Sequence, residues 1–516
     1  MADEPQVSRS ELREATLDGV RWISATRLAF EIVAVAGAVV LAHLVPPAAY
    51  GRFAIALVIP EIALSLVNEG LGTPLVRHQS LTHRHAEGTM AIGVVGGLAL
   101  TALTYFFAPL ITTPLFGEGT TELIQLYSPV FTIAGVMIVP LAMLQRRLEF
   151  NRIGLSEVVS AAVTTVVSIA LALAGLDAEA FVLGSLAGIF AWATVLLLFA
   201  GATPLPFPRP AEMREIAATG APAAGAGLAG IGSRNVDYAI LGARLTPTAV
   251  GFYYRAFTLG VEYERKVSGI VSRIAFPVYS RTKDMVHLRS VRQRIVRLNA
   301  TLIFPLMVFF IVVAPVLVPW LFGARWEPAV VLAQILAVAG MAGTLKNTID
   351  PLVLAAGKPR ALMVFNVCEV VLYAGMLFLV SSGGDLVLVC AAVAGFRVAT
   401  LICSYAFLLG PVLESSLVEL LDDAGPALIG CLALAAAALP VRLYLDAPTV
   451  PLLAACAVVG FTAYALALRL VSPASWDDIL LIVRRVVPGL GAEKPRRVAI
   501  NGELAVGMPA AAHGVE

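Results

Sequence analysis

The sequence predicts an all-α integral membrane protein of about fourteen transmembrane helices, built as two parallel six-helix repeats with two extra C-terminal helices. Three observations carry this. The 516 residues are 59% hydrophobic and 14% charged, with a mean hydropathy of +0.86, more apolar surface than a soluble core of that length buries. Apolar runs of about 20 residues, long enough to cross a bilayer as helices, recur with short connections. The chain also repeats itself: Leu41, Pro47, Ala49 and Gly51 of LAHLVPPAAYGRF meet Leu241, Pro247, Ala249 and Gly251 of LGARLTPTAVGFY without a gap. Further echoes keep the order, PLFG (Pro114–Gly117) with PWLFG (Pro319–Gly323) and TIAGV (Thr132–Val136) with AVAGM (Ala337–Met341). Membrane-embedded halves of common design usually flank a central transport site.

Taken in order, residues 1–19 are a charged cytosolic segment in which Ser8 and Glu11 form a capping box that opens a short amphipathic helix. The long apolar run behind it is a first transmembrane helix rather than a cleaved signal. Residues 20–203 form the N-lobe, with helices from near Val20, Gly51, Gly88, Thr120, Ile153 and Ala180. The Pro-rich polar stretch PLPFPRPAEMREI places a cytosolic linker at 204–218. Residues 219–410 form the C-lobe, with helices from near Thr219, Gly251, Ala300, Pro328, Leu362 and Leu386. Two further helices from near Pro426 and Val450 occupy 411–471, and 472–516 is a cytosolic tail, largely disordered.

Connection charges set the orientation. Arg77 and Arg84, then Arg146, Arg147 and Arg152, then Arg281, Lys283, Arg289, Arg292, Arg294 and Arg297 follow helices two, four and eight, whereas Glu118, Glu122, Asp177 and Glu179 follow helices three and five. The positive-inside rule therefore puts both termini in the cytoplasm. Glu414, Glu419, Asp422 and Asp423 break the pattern, but acidic residues weigh little in it. Six helices separate the copies, an even number, so both halves enter the membrane in the same sense.

Several charges fall within the spans: Arg27 and Glu31 in helix one, Glu61 in helix two, Arg234 and Asp237 in helix seven, Arg255, Glu262, Arg265 and Lys266 in helix eight, and Lys346 in helix ten. Each would cost ~2.5–3.5 kcal/mol facing lipid at mid-depth, so the set must face protein or a water-filled cavity. At a rise of ~1.5 Å per residue, Glu31, Glu61 and Glu262 lie near mid-depth, on helices that the repeat makes equivalent. Arg27 with Glu31, and Glu262 with Lys266, have i,i+4 spacing and can be plain structural pairs. Arg234, Arg255 and Arg265 have no evident partner, and unpaired guanidinium groups in a cavity suit a phosphate in fork geometry. Glu31, Glu61, Asp237 and Glu262 are candidate cavity acids, able to load a proton or sodium ion. Pro60, Pro305 and Pro351 are expected to kink their helices.

The rest is negative. The cysteines, Cys368, Cys390, Cys403, Cys431 and Cys456, read as small buried apolar residues, and His78, His83 and His85 as a solvated loop, so no metal or cofactor is expected. There is no phosphate-binding G-x-x-x-x-G-K-[ST] loop, no extramembrane segment long enough for a catalytic domain, and a net charge of only +1 to attract nucleic acid.

The stretch SRNVDYAILGARLTPTAVGFYYRAFTLG (Ser233–Gly260) resembles the second-half signature of bacterial Wzx-type polysaccharide flippases. NEGLGTPLVRH (Asn68–His78) and SRIAFPVYSR (Ser272–Arg281) resemble the family's endings of helices two and eight, and the likeness covers about residues 10–410. It implies a fold of the multidrug/oligosaccharidyl-lipid/polysaccharide exporter type, with two lobes in a V. It also implies a non-enzymatic flippase of the bacterial inner membrane that moves undecaprenyl-pyrophosphate-linked oligosaccharide between leaflets by alternating access. Its partners would be that lipid, the membrane, and polysaccharide polymerase and chain-length or export proteins. Carried over by position, Arg27, Arg234, Arg255, Arg265 and Lys346 are the candidates for the pyrophosphate. A cation-coupled multidrug exporter on this fold would favour an acidic, aromatic-lined cavity. A membrane-embedded polymerase or glycosyltransferase would need a large outer loop, and the outer loops here are short. Cysteines introduced at Gly119 and Arg147 should react with an impermeant thiol reagent from outside and inside respectively, and the reverse pattern would overturn the orientation.

Overall fold

The structure, a computed structural model, describes residues 9–77, 82–201, 205–262, 264–266, 268, 279, 285–413, 416–473 and 475–477, with side chains other than those of 9–25, 27, 77, 285–286 and 413. Among these there is no β-strand, and helix follows helix. The first half holds α1 (Arg9–Leu44), α2 (Pro47–Val76), α3 (His83–Phe116), α4 (Glu118–Arg146), α5 (Phe150–Leu173) and α6 (Ala178–Ala200). The second holds α7 (Pro210–Arg244), α8 (described continuously over 247–262), α9 (Met285–Phe322), α10 (Pro328–Ala355), α11 (Pro359–Gly383) and α12 (Leu386–Val412), followed by α13 (Leu417–Tyr444) and α14 (Thr449–Val471).

Eleven of these helices are long and apolar enough to cross a membrane. The three that fall short are α1, whose apolar stretch is Leu28–Leu44, α7, and α8, whose described run stops at Glu262. They are also the helices that carry Arg27, Glu31, Arg234, Asp237 and Arg255. A helix that faces other helices and an aqueous gap need not be apolar all round. The lipid-compatible helices instead turn large apolar side chains outward, among them Phe106, Leu198, Leu379 and Leu470.

The two halves meet backbone to backbone at the repeated Pro-x-x-x-Gly motif. A Cβ added to Gly51 would lie 1.8 Å from the carbonyl oxygen of Pro247, and one added to Gly251 would lie 1.9 Å from that of Pro47. The contact is reciprocal because the motif is repeated: α2 presents to α8 the surface that α8 presents to α2. The glycines of the third echo also mark helix crossings, with added Cβ atoms 2.1 Å from Gly93 O at Gly135 and 2.2 Å from Gly260 O at Gly340. At the end of the bundle that holds Pro47 and Pro247, the α9–α10 connection reaches across to α1. There Arg325 donates to His43 O at 2.7 Å and Trp326 to Ala42 O at 3.0 Å.

At the opposite end, helices start earlier than hydropathy suggests. Expected as a separate amphipathic element, the N-terminal segment is continuous with α1 from Arg9; Ser8 lies outside the described residues. Helix α7 begins at Pro210, inside the expected linker, because a first-turn proline has no N–H to lose and Glu212 suits a helix start. Its first turns dock on α3, where Arg209 Nε donates to Glu87 at 2.9 Å and His85 Nε2 lies 3.3 Å from Glu215. His83 and His85 thus belong to a helix rather than a solvated loop, and His78 lies outside the described residues.

Helix α13 begins at Leu417, with Ser416 and Glu419 forming a reciprocal capping box. Two of the acids that broke the charge pattern are counter-ions: Glu419 pairs with Arg289, and Arg292 lies 3.2 Å from Glu419 and 3.4 Å from Asp423; Glu414 lies outside the described residues. Helices α13 and α14 pack on α9, where Tyr464 donates to Thr301 O at 2.8 Å and Arg442 to Val312 O at 2.7 Å. Of the cysteines, Cys390, Cys431 and Cys456 are buried as expected, whereas Cys368 and Cys403 are exposed. Lys283, Arg281, the SRIAFPVYSR stretch apart from Tyr279, and the tail beyond residue 477 lie outside the described residues.

Forcing a side chain between the Pro47 and Pro247 backbones should cost about 1–3 kcal/mol as overpacking. Gly51→Val and Gly251→Val should each lower the melting temperature of the purified protein, while Gly375→Val, where an added Cβ meets nothing within 4 Å, should not.

Candidate transport site

Two polar contacts bridge the halves, between α1 and the residues beyond α8, and between α2 and α7. On one side, Lys266 beyond α8 donates from Nζ to both carboxylate oxygens of Glu31 on α1, at 2.9 and 3.1 Å. Next to it, Arg265 Nη1 donates to Glu262 at 2.6 Å. These four side chains remain between 25% and 44% exposed, so the group can still be reached from the space between the halves. On the other side, Asn235 Nδ2 of α7 donates to Glu61 Oε2 of α2 at 2.8 Å. Helix α2 breaks at Leu57, where Pro60 supplies no N–H and the Glu61 N to Leu57 O bond is stretched to 3.4 Å, and this break sets the direction of the Glu61 turn.

The two bridges are related by the repeat, which exchanges α1 with α7 and α2 with α8. By the register of the Leu41 and Leu241 motifs, Asn235 corresponds to Val35 and Lys266 to Leu66. Each member therefore sits about one turn from its counterpart, near Glu31 and Glu61 respectively.

Other expected site residues lie elsewhere. Asp237 is 2% exposed and sits inside the second half, accepting from Tyr253 Oη and the Tyr238 N–H, each at 2.9 Å. Lys346 joins α10 to α11 through an ion pair with Glu369. Arg255 is 3% exposed and is not without partners: its guanidinium carbon lies 4.7 Å from the Tyr50 ring centre, 4.4 Å from Phe322 and 4.9 Å from Trp326. These rings come from both halves, so this cation–π cluster helps close the Pro47 end. Arg265, expected to be unpaired, has Glu262. Arg234 is exposed beside Asn235, with no ion pair among the described residues. Of Arg27 only the helical backbone is described.

Sequence reasoning did not single out Asn235, and it matched Lys266 with Glu262 rather than Glu31; Glu264, also not singled out, lies inside the second half. Glu264 is 2% exposed and accepts from Thr344 at 2.8 Å. The i,i+4 rule considers one helix at a time and so matched Lys266 with Glu262. The available signal for Glu31 was the absence of a well-ordered partner on its own helix, since a basic residue preceding an acid is the less favourable order.

A helical bundle in two repeated halves, joined across their interface by one ion pair and one amide–carboxylate contact, has the architecture of a membrane transporter. The comparisons narrow this to a family. The chain belongs to the polysaccharide biosynthesis protein family, whose model matches residues 40–331. It is similar to the lipopolysaccharide biosynthesis protein WzxC of Escherichia coli K12, 23% identical over 418 residues that cover 78% of this chain and 83% of that one. The teichuronic acid biosynthesis protein TuaB of Bacillus subtilis 168 is 23% identical over 380 residues, covering 72% and 78%. Among solved structures, the lipid II flippase MurJ in an inward closed conformation superposes with a TM-score of 0.70 at 14% identity, over 89% of this chain and 99% of that one. An inward-facing multidrug transporter of the MATE family gives 0.60 at 13% identity, over 75% and 94%. The Wzx-type resemblance and the exporter-type fold read from the sequence are thus borne out.

If Lys266 and Glu31 act as a bridge, either charge reversal alone, Glu31→Lys or Lys266→Glu, should reduce transport at least tenfold. The double reversal should recover a substantial part of it. Loss without recovery in the double variant would mean that the two residues act separately.

Proposed function

We propose that this protein moves undecaprenyl-pyrophosphate-linked oligosaccharide, a polysaccharide repeat unit, from the cytoplasmic to the outer leaflet of the bacterial inner membrane by alternating access. The observation that carries the reading is the exposed Glu31–Lys266 and Glu262–Arg265 group between two halves whose outer faces suit lipid. A sugar-pyrophosphate headgroup crossing hydrocarbon unaided loses the hydration of several hydroxyls and of its phosphate charges. Between the halves it meets Lys266 and Arg265 as phosphate donors, with Arg234 exposed on the facing side, while Glu31 and Glu262 hold those cations in place until the phosphates compete for them. In this reading the Arg255 ring cluster keeps the outer end shut while the headgroup loads from the cytoplasm, and both termini are cytoplasmic. The names of the curated relatives, in lipopolysaccharide and teichuronic acid biosynthesis, support a glycan lipid as cargo. Arg27 belongs to the headgroup site by its position four residues before Glu31. Polymerase and chain-length proteins would receive the product on the far side.

Vesicles that hold only this protein should flip a fluorescent undecaprenyl-pyrophosphate oligosaccharide, and Arg265→Ala and Arg27→Ala should each slow that movement at least tenfold. Comparing runs with and without a proton or sodium gradient tests whether Glu31, Glu61, Asp237 or Glu262 couples transport to an ion. Efflux of small organic cations with no lipid movement would replace the flippase with a drug exporter.

A further inference from the structure

The guanidinium of Arg255 is buried at the Pro47 end of the bundle with its most specific hydrogen-bonding edge unused. The residue is 3% exposed, and neither Nε nor Nη2 has a hydrogen-bond partner among the described residues. These two nitrogens form one edge of the group, a parallel fork that matches both oxygens of a carboxylate or two of a phosphate. Arg289 shows the same edge in use, its Nε and Nη2 donating to the two carboxylate oxygens of Glu419.

The rings around Arg255 account for its charge but not for its fork. The faces of Tyr50, Phe322 and Trp326 attract a cation, yet they offer no oxygen to N–H groups in the guanidinium plane. A buried cation with two unmet donors costs stability in the closed state. Tyr50 Oη, 3% exposed in the facing half, is also buried without a partner. Tyr50 and Trp326 cover the group from opposite halves, edge to face with ring centres 5.0 Å apart, so parting the halves at this end uncovers the fork.

We propose that Arg255 is a second phosphate station, which receives the diphosphate of the lipid-linked substrate from Arg265 and Lys266 when the halves part at the Pro47 end. The proposal rests on the flippase reading and adds to it a site of release distinct from the site of loading. Arg255 stands seven residues, about 10 Å, to the Pro47 side of Glu262, which holds Arg265. Between the two stations α8 passes through a π-helical stretch, Thr258–Glu262, where the regular ladder of hydrogen bonds is interrupted and the two segments can turn separately. A diphosphate that fills the fork satisfies donors left unmet in the closed state. The cargo therefore binds the state open at this end more tightly than the closed one, and its arrival shifts the equilibrium toward opening.

The test follows Trp326, which is fully buried against Arg255. Trp22→Phe, Trp192→Phe, Trp320→Phe and Trp476→Phe leave it as the sole tryptophan of the full-length protein. In vesicles, inorganic pyrophosphate on both sides of the membrane should red-shift its emission and admit the neutral quencher acrylamide. Arg255→Met keeps apolar contact with the rings and removes the fork. It should abolish that response and slow flipping of a fluorescent undecaprenyl-pyrophosphate oligosaccharide at least tenfold. It should also raise the melting temperature, because an unpaired buried charge is gone. Arg255→Lys, which keeps the charge without the fork, should respond and flip less than the unmodified protein but more than Arg255→Met. Normal flipping by Arg255→Met would overturn the station and leave the flippase standing. Slow flipping with a lowered melting temperature and an unchanged Trp326 response would make Arg255 a structural clasp and would also overturn it. An equal response to sulfate would overturn the assignment to a diphosphate. Absence of flipping by the unmodified protein, with the Trp326 response intact, would remove the flippase reading and leave an anion site at Arg255.

Discussion

Two backbones touch at Gly51 and Gly251, and the rest of the molecule is organised about that contact. Neither position has room for a Cβ, because each glycine faces the carbonyl oxygen of the other motif's proline. A contact made by one motif with its own copy is self-complementary by construction, so a twofold relation between the halves follows from the repeat itself. From this fixed point α2 and α8 pack side by side over Pro47–Ala56 and Pro247–Phe257. Their neighbours α1 and α7 are then brought to opposite sides of the same interface, where Glu31 meets Lys266 and Asn235 meets Glu61.

The cost of a charge in hydrocarbon sorts the helices around this axis. Helices with clean apolar faces turn large side chains outward, whereas α1, α7 and α8 carry charges that would be expensive in lipid; α1 packs mainly on α5, and α7 on α2 and α3. Within that charged set, burial separates charges of two kinds. Asp237 and Glu264 are nearly inaccessible and are satisfied by hydroxyls and an amide of the second half, which suits groups that hold one half together. Glu31, Glu262, Arg265 and Lys266 stay partly exposed and are answered in part from the other half, which suits groups that change partners when the halves move.

Much of this was legible in the sequence, for reasons that differ by element. The spans were legible because hydropathy sums over about 20 residues and tolerates local error. The repeat was legible because its proline and glycine are required by backbone geometry, and Gly51 and Gly251 proved to be where the halves touch. Helix starts at Pro210 and Leu417 were missed because polar residues were taken to mean a loop; there they are helical and neutralised from another helix, Glu419 by Arg289 and Arg209 by Glu87. Partners were the least legible. Glu31 and Lys266 are 235 residues apart, and nothing in local spacing indicates which acid a lysine will meet after the halves assemble. Arg255 shows the same limit from the other side: it looked unpaired because its partners are the rings of Tyr50, Phe322 and Trp326, which a search for opposite charges does not find.

The repeat places the two bridges alike but does not make them chemically alike. An exchange of α1 with α7 and α2 with α8 carries one bridge onto the other to within about a turn, yet one is an ion pair and the other an amide bound to a carboxylate. Charge is concentrated at Glu31, Glu262, Arg265 and Lys266, whereas apolar cavities flank Glu61, so the two sides of the interface differ in what they present. Duplication supplies two halves that fit each other, and divergence of a few side chains makes the two sides of their interface chemically distinct.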